Sequence, residues 1–283
     1  MKNHTLIHLG PDRVGESPVW DDQLQALWWV DIESRGIRRY SGHSGAFHHW
    51  TLPERVGCIA LATDGRVIAA MESRIAALRL HDAGEVELQD LARIDHPAPG
   101  MRFNDGRCDP AGRLWVGTMV MDMPSNQPRG GLYRLDEQGL SGPHVTGLYT
   151  PNGSAFSPDG RTLYLSDSHP HSQQVWAFDF DPVCGQLGAR RPFIDMQHRP
   201  GRPDGAAVDE QGHYWICGND AGLVHCFAPD GAWLRSVQVP FPKPSMCCFG
   251  GPRLDTLFVT SIVPAQPCPD VADLSGAVIA LQP

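Results

Sequence analysis

The sequence predicts an all-β protein, a six-bladed β-propeller built from four-stranded antiparallel blades. Three observations lead to this prediction. Short apolar runs alternate with turns, and the 283 residues include 30 Gly and 25 Pro. An apolar strand, an acidic or glycine turn and a second apolar strand recur six times, at intervals of roughly 40–50 residues, which is the period of a propeller blade. No segment has a sustained helical period.

The third repeat shows the pattern most clearly, in residues 102–119. One strand ends at Cys108, the turn 109–112 follows, and the next strand starts at Leu114. The other hairpins lie at 18–30, 59–70, 154–165, 206–216 and 246–259. Further strands follow at 36–40, 131–135, 174–178, 223–227 and 276–281.

Six such blades use the whole length, so we predict a single domain over residues 1–283. Residues 5–8 are expected to add the strand that completes the last blade and closes the ring. A β-sandwich is the alternative, but it needs no repeat of this period. A WD-repeat scaffold would carry Gly-His and Trp-Asp signatures, which are absent at the expected places.

The composition is 41% hydrophobic and 19% charged, and the net charge is −9. The sequence has no Lys/Arg cluster of the kind that binds nucleic acid, and it has no apolar run long enough to cross a bilayer. The first ten residues lack the apolar core of a signal peptide. The eight Cys contain no C-x-x-C motif, which fits reduced thiols. We therefore expect a cytoplasmic protein, a monomer or a weak homodimer.

Polar residues recur at one phase of the repeat, directly before its first strand. Glu16, Asn152 and Asp204 stand there in repeats one, four and five, and Arg102 with Asn104 stands there in repeat three. The innermost strands of a propeller line its channel, so these side chains should meet at one mouth. The alternative is that Asn-Gly and Asp-Gly are ordinary turn dipeptides, but their shared phase favours a site.

Two carboxylates and an amide oxygen form a hard, all-oxygen ligand set. Such a set suits Ca²⁺, Mg²⁺ or Mn²⁺, and Zn²⁺ can also use it. We expect one divalent ion, with Ca²⁺ the first choice, bound by Glu16, Asn152 and Asp204. Three protein ligands leave coordination positions for water and substrate, as catalysis by a metal requires.

Six motifs, which run in order along the chain, resemble those of the gluconolactonase/regucalcin family, also called the senescence-marker-protein family. They are at 16–20, 102–106, 117–119, 151–153, 203–209 and 248–251. The resemblance implies a six-bladed propeller, the same three metal ligands, and substrate binding by Arg102 and Asn104. The family often has an acidic residue shortly after Gly-Thr-Met that contacts sugar hydroxyls, and Asp122 is the match here.

The expected activity is metal-dependent hydrolysis of a sugar lactone, an aldonolactone, to its aldonic acid. Asp204 would serve both as a ligand and as the catalytic group that takes the proton from the attacking water. One alternative is a phosphotriesterase of the diisopropyl-fluorophosphatase type, although organophosphates lack the hydroxyls that the polar residues are placed to bind. A regucalcin-like calcium-binding protein without turnover and an interaction scaffold are the others. Whether the following residues contribute is left open: Asp167, Asp220, His169 and His171.

Overall fold

The computed structural model describes residues 4–266 and 274–283. In this part of the chain, 24 strands form six four-stranded antiparallel sheets. The strands of the first three blades are β2 (Gly15–Asp21), β3 (Ala26–Asp31), β4 (Gly36–Ser41), β5 (Phe47–Thr51), β6 (Cys58–Leu61), β7 (Val67–Ala70), β8 (Arg74–Leu80), β9 (Val86–Arg93), β10 (Met101–Cys108), β11 (Leu114–Val120), β12 (Gly130–Asp136) and β13 (Gly139–Leu148).

Blades four and five follow the same order, and the sixth borrows one strand from the start of the chain. Their strands are β14 (Pro151–Phe156), β15 (Thr162–Asp167), β16 (Gln174–Asp181), β17 (Gln186–Asp195), β18 (Arg202–Val208), β19 (Tyr214–Asn219), β20 (Leu223–Phe227), β21 (Trp233–Gln238), β22 (Pro244–Gly250), β23 (Thr256–Ser261), β24 (Val278–Leu281) and β1 (His4–His8). The predicted six-bladed fold is confirmed. That one domain occupies residues 1–283 stays a prediction.

The ring closes as the sequence predicts. Strand β1 pairs antiparallel with β24, with Thr5 opposite Ala280, and becomes the outermost strand of blade six. The only helical turn in the described residues is a 3₁₀ turn, Met123–Ser125, and no helix there is long and apolar enough to cross a membrane.

The first strand of each blade faces the centre of the ring, where it contacts the first strands of its neighbours. The hydrophobic core lies between the blades: Trp28 of blade one, for example, stacks on Trp50 with ring centroids 5.6 Å apart, within a cluster that reaches Ala69 of blade two. Neighbouring inner strands approach closely. A Cβ on Gly57 would lie 2.3 Å from the backbone oxygen of Phe103 on β10.

Five of the six inner strands share an irregularity near their beginnings. The pairing with the second strand shifts at a β-bulge between Glu16 and Val19, Phe103 and Gly106, Asn152 and Ala155, Pro203 and Ala206, and Pro244 and Cys247. A bulge turns side chains away from strict alternation, so polar residues can point into the channel.

The polar motifs therefore lie inside strands, and the expectation that they precede the strands is wrong. Arg102–Gly106 belongs to β10, Asn152 to β14, Asp204 to β18 and Glu16 to β2. The physical reason is that each strand stays paired with its neighbour on both sides of the bulge. The polar residues at the bulge therefore belong to the strand, although their sequence looks like that of a loop.

Candidate functional site

Glu16, Asn104, Asn152 and Asp204 all line one cavity of about 250 Å³ at one mouth of the channel. Their exposed fractions are only 5–7%, which is unusual for such polar side chains and requires that partners satisfy them. Arg102 lines the same cavity. Four larger depressions, of about 320–950 Å³, lie elsewhere on the surface and contain none of these residues.

A continuous chain of hydrogen bonds joins three blades. Arg102 Nη1 donates to Asn104 Oδ1 at 2.6 Å, and Asn104 Nδ2 donates to Asn152 Oδ1 at 2.8 Å. Asn152 Nδ2 then donates to Asp204 Oδ1 at 2.8 Å. Asn219 Nδ2 donates to the other oxygen of Asp204 at 2.6 Å. The network fixes the orientation of Asp204 from two sides.

The ionised forms of the Glu16 and Asp204 carboxylates are unfavourable in the absence of a cation. Burial, the nearby Asp204 and the nearby Asp105 raise the pKa of Glu16 well above its ordinary value. Burial raises the pKa of Asp204 to about 7, although Arg202 and the bond from Asn219 act in the opposite direction. A cation between the two carboxylates would relieve both effects.

The guanidinium of Arg102 also lines the cavity, but it forms no ion pair with a carboxylate in the described residues. It donates instead to Asn104 Oδ1 and to the backbone oxygen of Phe103 at 2.9 Å. Burial lowers the pKa of Arg102 to about 10. A charged donor without an anionic partner is available to an oxygen of a ligand in the cavity.

The donor set fits a divalent ion through oxygen ligands. In residues 4–266 and 274–283, no three His, Cys, Asp or Glu side chains lie close enough together to hold a metal by themselves. Glu16 and Asp204 would thus need the amide oxygen of Asn152 as a third protein ligand. That oxygen accepts one bond from Asn104 and has a second lone pair free for coordination.

The structure does not bring Asp122 among the cavity-lining residues. Asp122 is exposed and immediately precedes the 3₁₀ turn Met123–Ser125. Its neighbours Met121 and Met123 line the cavity. Its role in substrate binding stays a prediction.

The four residues left open by the sequence fall into two groups. Asp167 is buried and accepts bonds from the backbone N–H groups of Tyr149 and Thr150, both at 2.9 Å, so it caps a strand end. His169 stacks on Tyr149 at 4.5 Å and lies 5.0 Å from His171, outside the cavity lining. Asp220 instead lies at the rim of the mouth, where it pairs with Arg202 at 2.7 Å.

Sequence reasoning missed Asn219 and Arg202, both of which line the cavity. They are opposite each other in the pairing of β18 with β19. The available signal was that Asn219 ends the second strand of its repeat, the same phase at which Asp167 ends β15.

A six-bladed propeller with buried carboxylates, amides and an unpaired guanidinium at one channel mouth is built to bind a small polar ligand there. The model of the SMP-30/gluconolactonase/LRE-like region matches residues 14–263. The chain belongs to this family, as its motifs predict.

Similar proteins agree with this assignment. The 6-deoxy-6-sulfogluconolactonase of Pseudomonas putida is 37% identical over 95% of this chain and 91% of its own length. A pentonolactonase of Haloferax volcanii is 35% identical over 88% of this chain and 81% of its own length. The crystal structure of a calcium-binding protein, regucalcin, from Agrobacterium tumefaciens is 26% identical, with a TM-score of 0.89 over 99% of this chain and 92% of its own length.

Proposed function

We propose that the protein is a lactonase that hydrolyses an aldonolactone to the aldonic acid, with one bound divalent ion, in carbohydrate catabolism. The observation that carries this proposal is the hydrogen-bonded network from Arg102 to Asp204, which opens into a cavity of about 250 Å³. That volume is just below the range of drug-sized ligand sites, about 300–1,000 Å³, and suits a single sugar ring. Relatives named as sugar lactonases support the same substrate class.

Glu16, Asn152 and Asp204 would hold the ion, with Ca²⁺ the first choice and Zn²⁺, Mn²⁺ or Mg²⁺ as alternatives. When bound, the ion would polarise the lactone carbonyl and stabilise the negative charge that develops on its oxygen.

The chain's own residues supply the remaining chemistry. Asp204, held by Asn219 and Asn152, takes a proton from the attacking water as the new carbon–oxygen bond forms. The proton then passes to the ring oxygen as the ester bond breaks. Arg102 and Asn104 hold the hydroxyls or the carbonyl oxygen of the substrate, and Asp122 is proposed as a further sugar contact.

Proton release from glucono- and pentonolactones tests the proposal, with spontaneous hydrolysis subtracted. Chelated protein should be inactive, and one of Ca²⁺, Mg²⁺, Mn²⁺ or Zn²⁺ should restore turnover. Asp204→Ala should lower kcat by roughly 10²–10⁴. Asp230→Ala, an exposed turn substitution in the same blade, is the matched control. Background rates for every lactone with every metal would overturn the proposal.

Further assays on the same protein distinguish the two alternative functions, calcium binding without turnover and phosphotriester hydrolysis. The regucalcin structure, described as that of a calcium-binding protein, favours calcium binding without turnover as the second candidate. In that case Ca²⁺ would raise the unfolding temperature, Glu16→Gln would abolish the rise, and no lactone would be consumed. Consumption of an organophosphate ester, but of no lactone, would instead indicate a phosphotriesterase.

We also propose that the protein works in the cytoplasm as a monomer or a weak homodimer, without nucleic acid or membrane partners. The net charge of −9 opposes binding to polyanions. Light scattering across a range of protein concentrations measures the oligomeric state.

A further inference from the structure

Cationic residues occupy equivalent sequence positions at the beginning of three inner strands: Arg102 and Arg202 lie within β10 and β18, and Lys243 immediately precedes β22. Arg102, Arg202 and Lys243 each stand two residues before the polar residue that the strand presents at its bulge, which is Asn104, Asp204 or Ser245. Arg202 and Lys243 belong to adjacent blades, five and six. Because the blades repeat, their side chains meet at the rim of the same mouth.

One carboxylate lies between these two cations. Arg202 Nε contacts Asp220 Oδ2 at 2.7 Å, and Lys243 Nζ forms an ion pair with Asp220 Oδ1. The backbone of Asp220 has a φ of +77°, a costly conformation for a residue other than glycine, so this arrangement is held by its surroundings. Two positive charges against one negative charge leave a positive surplus on this side of the mouth.

Arg202 keeps donors available. Its Nη1 and Nη2 atoms reach only the backbone oxygen of Ser168 at 3.4 Å and Asn219 Oδ1 at 3.5 Å. Both distances are longer than an ordinary N–H···O hydrogen bond. The outer part of the guanidinium can therefore bind a stronger acceptor that enters the cavity, which Arg202 lines.

The rim formed by residues of blades one and two has a different composition. Arg55 lies between two carboxylates there, with Nε 3.1 Å from Glu33 and Nη1 3.0 Å from Glu72. Glu33 lines the cavity as Arg202 does, and Arg102 lies near enough to interact electrostatically with Glu33 and Glu72, so the charges on this side balance. The anionic end of a ligand is therefore attracted to the side of the mouth that carries Arg202 and Lys243.

We propose that the substrate is an aldonolactone with an anionic group, a sulfonate, phosphate or carboxylate, at the end of its carbon chain remote from the lactone carbonyl. Arg202 and Lys243 bind that group. The inference rests on the proposed lactonase function, because it places the lactone carbonyl at Asp204. Arg202 and Asp204 both line the cavity, so a single ligand can contact both side chains.

Binding of stable reaction products tests this without requiring turnover. Calorimetric titration at saturating Ca²⁺ compares gluconate with 6-phosphogluconate, glucarate and 6-deoxy-6-sulfogluconate, each corrected for its titration into the same buffer. We expect at least one of the three charged products to bind about tenfold or more tightly than gluconate, as for a charge-assisted hydrogen bond. Their order of affinity identifies which anion is preferred.

Arg202→Gln and Lys243→Gln should each reduce this preference, and added salt should weaken it. Arg253→Gln makes the same change of charge on blade six, at a side chain that is 81% exposed and paired with Asp255, and should keep the preference. Unfolding temperatures check that each variant is folded.

The inference is overturned if gluconate binds the native protein as tightly as all three charged products, if none of the four products binds, or if both variants keep the preference. Failure of the lactonase proposal is a separate result. It would appear as no hydrolysis of any lactone, while the preference for a charged product and its dependence on Arg202 remained.

Discussion

Asn219 offers the sharpest test of how the site works, because sequence motifs do not include it and it contacts Asp204 directly. Its Nδ2 donates to Asp204 Oδ2 at 2.6 Å, and both side chains are buried. A buried hydrogen bond to a charged group contributes about 1.5–3 kcal/mol. If Asn219→Ala removes this contribution from the transition state, kcat/KM falls by roughly 10- to 150-fold.

The pH dependence of kcat/KM distinguishes a role of Asn219 in positioning Asp204 from a purely structural role. The bond from Asn219 lowers the pKa of Asp204, so its loss raises that pKa further. Since the base must be deprotonated to accept a proton, the acid limb of the kcat/KM profile should move to higher pH in Asn219→Ala. Lactone hydrolysis would be measured by a pH indicator between pH 5 and 9, with spontaneous hydrolysis subtracted at each pH.

Gln211→Ala is the matched control, since it removes an exposed amide from the turn at the other end of the same hairpin. It should leave both the rate and the pH profile unchanged. An Asn219→Ala protein with native kcat/KM and a native acid limb would refute the role given to Asn219. A rise in KM alone, with kcat and the acid limb unchanged, would assign Asn219 to substrate binding instead.

Two further predictions concern stability. In Gly57→Ala the added Cβ would collide with the backbone oxygens of Phe103 and Asn104, at 2.3 and 2.7 Å, so the unfolding free energy should fall by about 1–3 kcal/mol in urea titrations. Gly188→Ala on an outer strand, where the nearest atom is a side-chain carbon at 3.1 Å, should cost less, and equal losses would contradict this explanation. Burial raises the pKa of Asp12 to about 6, above its value in the unfolded chain. Its contribution to stability is therefore full below about pH 4 and is lost as pH rises through 6, by roughly 1–3 kcal/mol. Asp12→Asn should lack this decline, and an identical pH dependence of unfolding in both proteins would disprove the assignment.

The fold could be predicted from the sequence because its signal is periodic. Six apolar hairpins at a regular spacing determine the number of blades, and the apolar strand near Leu6 has no other place than the unfilled edge of blade six. The shared phase in the repeat also predicted that Glu16, Asn152 and Asp204 lie together, and all three line the same cavity; their roles stay predictions.

The bonding around the site could not be predicted in the same way. The contact of Asn219 with Asp204 depends on the register at the bulge of β18, and a single-residue shift would direct these side chains elsewhere. The pairing of Arg202 and Lys243 with Asp220 joins two blades through side chains distant in sequence. No local pattern encodes either contact.

The pairing of β1 with β24 has a consequence for synthesis of the protein on the ribosome. The strand that fills the outer edge of blade six is made before the other described strands, and its partner, Val278–Leu281, is made after them. A nascent chain can assemble blades one to five in order, but β1 must remain unpaired until Val278–Leu281 has left the exit tunnel. Only then can the ring become a closed circle, and a chain that stops before Val278 would keep an open edge exposed to other strands.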